Sequence, residues 1–487
     1  MAVDKPVPDS VHASWGDIID GRSLRTLVVA AGIGWSVLFV VIGLGYELQL
    51  YGDGSLFSYS VAVRDAWAFH WHNIPGRAFV YLFSYVPAET YVGLTGDARG
   101  GIVVYGFLFF GAQLLGLAAT FAADRSKGRI LFTGACASTA CLCPLVFGFP
   151  TEMWMAHAVF WPALALCHYA GGGIAGIAAV FAVLLALVFT HEGALILAGV
   201  ILATLVLRGL RDAAFLRAAG ACLVALAIWA WVKETVRPDA YDVPILARAA
   251  RNFFDLAILT GKLPLLLLGA LAAYAIAYVV LRREIPANAH VTAAALVAAA
   301  LCVYWLTLDH ALHADNRYYL RTVLLIATAA LGPLAAAYTL EADGRKLPAV
   351  LRRLMVAPAG TARAVAGAIA LVMLVHAVET AKFVGAWTDY KDAVRTLAMG
   401  TASDPELGDA HVVSAARIGP NRLSWNSTTP FLSVLVAPDF APARLVVDPA
   451  ANDFWLSCAT ATASEAGDRA VPAESRRLVR VHACLHR

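Results

Sequence analysis

The sequence predicts an all-α polytopic membrane bundle of about eleven transmembrane helices, followed by a small external α+β C-terminal domain. Three observations predict it. Charged residues make up only 15% of the 487-residue chain, against 60% hydrophobic. The charges sit in short clusters between long apolar stretches from 24 to 383. Runs such as 102–122, 174–189 and 364–378 are too apolar for a soluble surface. At about 1.5 Å per residue, roughly 20 such residues cross a bilayer core.

The elements follow in order. Residues 1–23 are polar and read as a cytoplasmic segment without a cleavable leader. The expected spans are 24–44, 101–122, 130–148, 153–169, 173–189, 193–207, 213–232, 257–281, 290–307, 320–340 and 364–383. The stretch 157–189 is too long for one ordinary crossing, so it divides at Ala170-Gly171-Gly172-Gly173. Basic residues then cluster on one side: Arg22 and Arg25, Arg125 to Arg129, Arg208 and Arg211, Arg282 and Arg283, and 345–363. That side is the cytoplasm by the positive-inside rule, which puts the tail outside. The Ala-rich, Lys-poor composition suggests a GC-rich bacterial genome, and the expected location is the bacterial inner membrane.

The external connections are the longer ones. The first, 45–100, carries aromatic and charged residues over 56–71 and again over 79–91, a pattern for helices lying on the membrane surface. The domain 384–487 has turn residues at short intervals, and 431–436 and 444–447 read as strands. Six of the eight cysteines lie in apolar runs. Cys458 and Cys484 form the one pair in the tail, where an oxidising compartment permits a disulfide.

Candidate chemistry gathers in the external segments. Asp53 lies between Gly52 and Gly54, just past the first span, where a carboxylate can serve as a general base. The same pattern also suits a plain turn. Glu47 is nearer the membrane edge and can share the work. His191 and Glu192 occupy a very short connection between two spans. Glu152 and His157 can line one cavity, although Trp154 between them also suits an interface anchor. Arg317 and Arg321, four apart, are expected on one helix face beside Tyr318. Two guanidiniums there suit a phosphate, and they break the positive-inside trend. Arg64 and His70 in the first loop are further candidate binding groups. His310 and His313, with Asp309 and Asp315, leave a divalent metal open without defining a third ligand, and no cofactor is required. No Walker loop or dinucleotide fingerprint is present, and the basic 345–363 loop suits anionic lipid rather than nucleic acid.

Taken together, the layout resembles the GT-C superfamily of polytopic glycosyltransferases. Asp53 followed by 56–71 is similar to that family's acidic first external loop. Asn316-Arg317-Tyr318-Tyr319-Leu320 looks like its Arg-Tyr element before a late span. The resemblance implies a polyprenyl-phosphate-sugar donor and a glycan, lipid or protein acceptor. It also implies Asp53 as base, with Arg317 and Arg321 on the leaving phosphate. The paired acidic motif of many members is absent here. A secondary transporter and an O-antigen-ligase-like enzyme are the rival classes. Transporters place charges within the membrane, whereas here they gather at one face. The ligase-like enzymes carry their long loop late, and here it is early.

Overall fold

The computed structural model describes residues 13–14, 22–64, 66, 75–235, 261–285, 288–309, 317–345, 347–349, 351–352, 356–357, 361–400, 412–418, 423 and 428–447. His70, His310, His313, Asp315, Cys458 and Cys484 lie outside these residues, as does most of the predicted tail domain. The described chain is almost wholly helical. α1 is Arg22–Gly45, α2 Asp53–Ala62, α3 Val86–Thr95, α4 Ala98–Ala123, α5 Ile130–Val146, α6 Glu152–Tyr169 and α7 Ile174–Val188. α8 is Ala194–Val206, α9 Ala213–Thr235, α10 Lys262–Glu284, α11 Ala289–Thr307, α12 Arg321–Ala342, α13 Thr361–Met399 and α14 Thr429–Leu435. Every stretch read as a span falls on one of these helices. Among the described residues seven helices are long and apolar enough to cross a membrane, and α5, α7 and α8 are shorter apolar helices. The fold is an all-α membrane bundle.

Local chemistry sets the boundaries. α3 stops at Gly96 in the left-handed region, and Asp97 then caps α4 by accepting from the Gly100 N–H at 2.9 Å. α6 ends at Tyr169 and α7 begins at Ile174, so the break falls at the predicted 170–173 tract. Small residues bring helices together, as expected where no solvent drives them. A Cβ on Gly116 of α4 would lie 2.4 Å from the Ala158 carbonyl of α6. Around that contact, Phe39, Phe109, Phe147 and Trp154 pack ring on ring.

Two ends of the bundle are defined by contacts between distant loops. At one, the Tyr169 hydroxyl donates to Asp343 at 2.6 Å and Arg345 meets Asp212 at 3.2 Å. At that end too, β1 (Ala13–Ser14) pairs antiparallel with β2 (Val356–Ala357). At the other, α14 packs on α2 through Tyr59 and Phe431, 5.3 Å apart. Arg99 anchors the tail there by donating to the Ala437 carbonyl at 2.7 Å.

Three expectations change. The run 431–436 belongs to a helix and the turn after it rather than to a strand, because Pro430 opens α14 and its apolar residues all bury. Only 445–447 is a strand, β4 (Leu445–Val447), parallel to β3 (Val412–Ser414). α2 does not lie on a surface: residues 54–61 are all buried between α4 and α14. Finally, α13 runs unbroken through the expected domain boundary at 383–384.

Candidate charged site at the loop-rich end

Asp53 is the first residue of α2, where the helix N-terminus favours a negative charge. Gly52 before it adopts φ 58°, and a Cβ there would strike the Phe149 ring at 2.4 Å. That ring packs 5.3 Å from Tyr51 and 4.9 Å from Tyr318. The Asp53 turn is thereby seated against the 149–152 turn and the start of α12. Burial raises the Tyr85 and Tyr318 hydroxyls above their ordinary value, and the Asp53 and Glu152 charges add to that. Asp53 adds to the same effect of burial at Tyr51, and Tyr105 stacks on Tyr85 at 5.0 Å.

Arg77, from the turn Pro75–Arg77 in the first long loop, is the hub beside them. Its Nη1 lies 2.9 Å from Glu152 Oε1, an ion pair that lacks hydrogen-bond alignment. Its Nη2 donates to Glu192 Oε2 at 2.9 Å and its Nε to the same oxygen at 3.2 Å. Lys233, in the last turn of α9, approaches Glu192 Oε1 at 3.5 Å. Burial pushes the Glu192 carboxyl up, but the Arg77 and Lys233 cations hold it below the usual carboxylate range. Burial depresses His191 well below its ordinary value, and the Arg77 charge adds to that. Its Nδ1 accepts the Gly193 N–H at 2.9 Å, so the neutral ring carries its proton on Nε2. The 3.8 Å approach of His191 to Glu192 is therefore not a charge pair.

Arg321 and Arg317 part company. Arg317 begins a 3-10 turn that ends at Leu320, and α12 starts only at Arg321. At about three residues per turn, four residues advance roughly 120° past a full turn, so the expected shared face is lost. Arg321 lies over the Tyr318 ring, its Cζ 3.6 Å from the centroid, and its charge also reaches His191. Arg317 turns inward and is 3% exposed. It donates to the carbonyls of Pro144 at 3.0 Å, Phe147 at 3.2 Å and Glu379 at 2.9 Å, with the Phe383 ring stacked on it.

The structure thus brings Asp53, Glu152, His191, Glu192, Tyr318 and Arg321 into one neighbourhood. It sets the others apart. Glu47, in a left-handed turn, pairs with Lys391 of α13 at 2.6 Å. Arg64 is exposed beside Gly93 of α3. His157 is buried in a polar knot, 2.7 Å from Ser138 Oγ and 2.9 Å from Gln113 Oε1, so it does not share a cavity with Glu152. Asp309 is held by Lys262 at 2.6 Å and by Lys382, in a cluster completed by Glu379. Among the described residues no three His, Cys, Asp or Glu are grouped as a metal site.

Arg77, Lys233, Tyr85 and Tyr105 were not predicted. A signal existed for the first two, since each is a cation in a segment that the sequence reads as external, against the positive-inside trend. No such signal marks the two tyrosines. The fold and the site define a polytopic all-α membrane protein with a charged cluster at its loop-rich end. No protein-family model matches the chain, and no curated protein matches it.

Proposed function

We propose that this protein is a membrane glycosyltransferase of the GT-C type, using a sugar carried on a polyprenyl phosphate. The observation that carries the reading is the meeting at Tyr318: its ring packs 4.9 Å from Phe149, against which the Asp53 turn is seated, and the Arg321 guanidinium covers it at 3.6 Å. A base and a cation near one residue suit the two ends of a transfer reaction. Asp53 takes the proton of the acceptor hydroxyl as its oxygen attacks the anomeric carbon. The bond from that carbon to the phosphate oxygen breaks, and Arg321 receives the growing negative charge. Arg317 has its donors turned to three carbonyls, so it holds α12 in place for Arg321 rather than gripping the phosphate itself. The acceptor is a glycan, lipid or protein at that face.

The reading places about eleven spans in a bacterial inner membrane, with the N-terminus cytoplasmic and the tail periplasmic. The pairing of β1 with β2 beside the basic loops supports it, as does the docking of α14 on α2. An introduced thiol at Asp404 should be labelled from outside, and one at Lys346 should not. The functional test is transfer from synthetic polyprenyl-phosphate sugars by the purified full chain. Turnover lost in Asp53→Asn supports the reading; no transfer with any such donor removes it.

A further inference from the structure

α10 and α11 form a hairpin that contacts chiefly itself and α13. Between α11 and α13 runs an open apolar groove of about 460 Å³, lined by His290, Val291, Ala294, Ala298, Leu371 and Leu374 among others. That volume falls within the range of roughly 300–1,000 Å³ common for ligand sites. Among the described residues His290 is the one polar group lining it, and it stands in the first turn of α11.

The depth of the groove selects its occupant. From His290 to Ala298, and from Gly367 to Leu374, the walls rise about 11–12 Å along each helix. One leaflet's hydrocarbon is about 15 Å deep. The groove therefore spans most of one leaflet and stops short of the Asp309–Lys382 cluster at the far end of the same seam. Its mouth is basic. Arg282 and Arg283 occupy the last turn of α10, joined to α11 by a short connection, and Arg363 lies one turn before Gly367 on α13. All three are exposed. We propose that this groove binds one acyl chain of an anionic phospholipid from the leaflet at the basic end, with its headgroup on Arg282, Arg283, Arg363 and His290. The small side chains provide the width for a chain, and the cations select a negative headgroup.

The test uses the full chain in nanodiscs of equal phosphatidylglycerol and phosphatidylcholine, followed by native mass spectrometry of the retained lipids. Phosphatidylglycerol should be retained over phosphatidylcholine by roughly fivefold or more for each basic residue engaged. Arg282→Gln, Arg283→Gln and Arg363→Gln together should bring that ratio near one. Ala295→Trp, at an exposed position on the groove wall, should abolish retention of both lipids there while leaving helix content unchanged. Equal retention of the two lipids by the unaltered protein would overturn the proposal. So would undiminished retention in a folded Ala295→Trp variant, a groove covered by a second copy of the chain, or displacement of phosphatidylglycerol by a polyprenyl phosphate.

Discussion

Arg77 in the first long loop faces Glu152 at the start of α6 across 2.9 Å, although the two are 75 positions apart in the chain. The same guanidinium holds Glu192 at 2.9 Å. One cation therefore fastens the first loop onto the start of α6 and the turn between α7 and α8. Its removal leaves a carboxylate that is 4% exposed without its ion-pair partner. Breaking a buried pair by removing one partner costs about 3–5 kcal/mol. Arg77→Met should lower thermal stability in detergent by that order. A melting temperature within a degree of the parent would show that Arg77 fastens nothing.

The acid response has a worked sign. Both His191 and Glu192 have folded values below their ordinary ones. The unfolded chain therefore binds protons first as the pH falls, and stability is lost on the acid side. For His191 the loss begins near its unfolded value of about 6.5, and for Glu192 near about 4.3. His191→Gln should flatten the fall in melting temperature between roughly pH 6.5 and 5 relative to the parent. Parallel curves for the two proteins would mean that His191 is not held neutral.

Much of the bundle was legible in the sequence because a bilayer demands about 20 apolar residues for each crossing, and few other structures leave that mark. The break at 170–173 was legible for the same reason, sharpened by three glycines in a row. The site was legible only in its residue types. Glu47 finds Lys391 at a separation of 344 positions, which no local pattern encodes. The face of Arg317 depended on a 3-10 turn rather than an α-turn, and spacing alone does not separate the two. The run 431–436 is too short for its period to tell strand from helix, so packing on α2 decided.

Arg317 and Arg321 should behave oppositely. Arg317 supplies donors to three buried carbonyls, and a lysine there has neither the fork nor the reach for all of them. Arg317→Lys should cost on the order of 1–3 kcal/mol of stability through carbonyls left without donors. Arg321 touches the Tyr318 ring and has no carboxylate within ion-pair distance among the described residues. Arg321→Gln should leave the melting temperature nearly unchanged and raise the donor KM by roughly tenfold or more. A variant pair that loses stability at Arg321 and donor binding at Arg317 would reverse the assignment.

The sharpest prediction rests on Asp53. Its position is set by Gly52, whose φ of 58° starts α2 and whose lack of a Cβ admits the Phe149 ring. Asp53→Asn keeps the shape, the helix start and the hydrogen-bonding capacity of one oxygen. It removes the negative charge that takes up the acceptor proton in the proposed transfer. Turnover should therefore fall by roughly 100-fold or more, with the donor KM and the melting temperature little changed. Gly52→Ala acts differently. It forces a side chain into the Phe149 ring and into a strained backbone region, so it should lower stability and turnover together. The contrast separates chemistry from seating. If Asp53→Asn retains full turnover, the base lies elsewhere, and Glu152 is the remaining carboxylate whose charge reaches Tyr318. If Asp53→Asn loses stability as Gly52→Ala does, Asp53 is a helix-start residue and carries no proton.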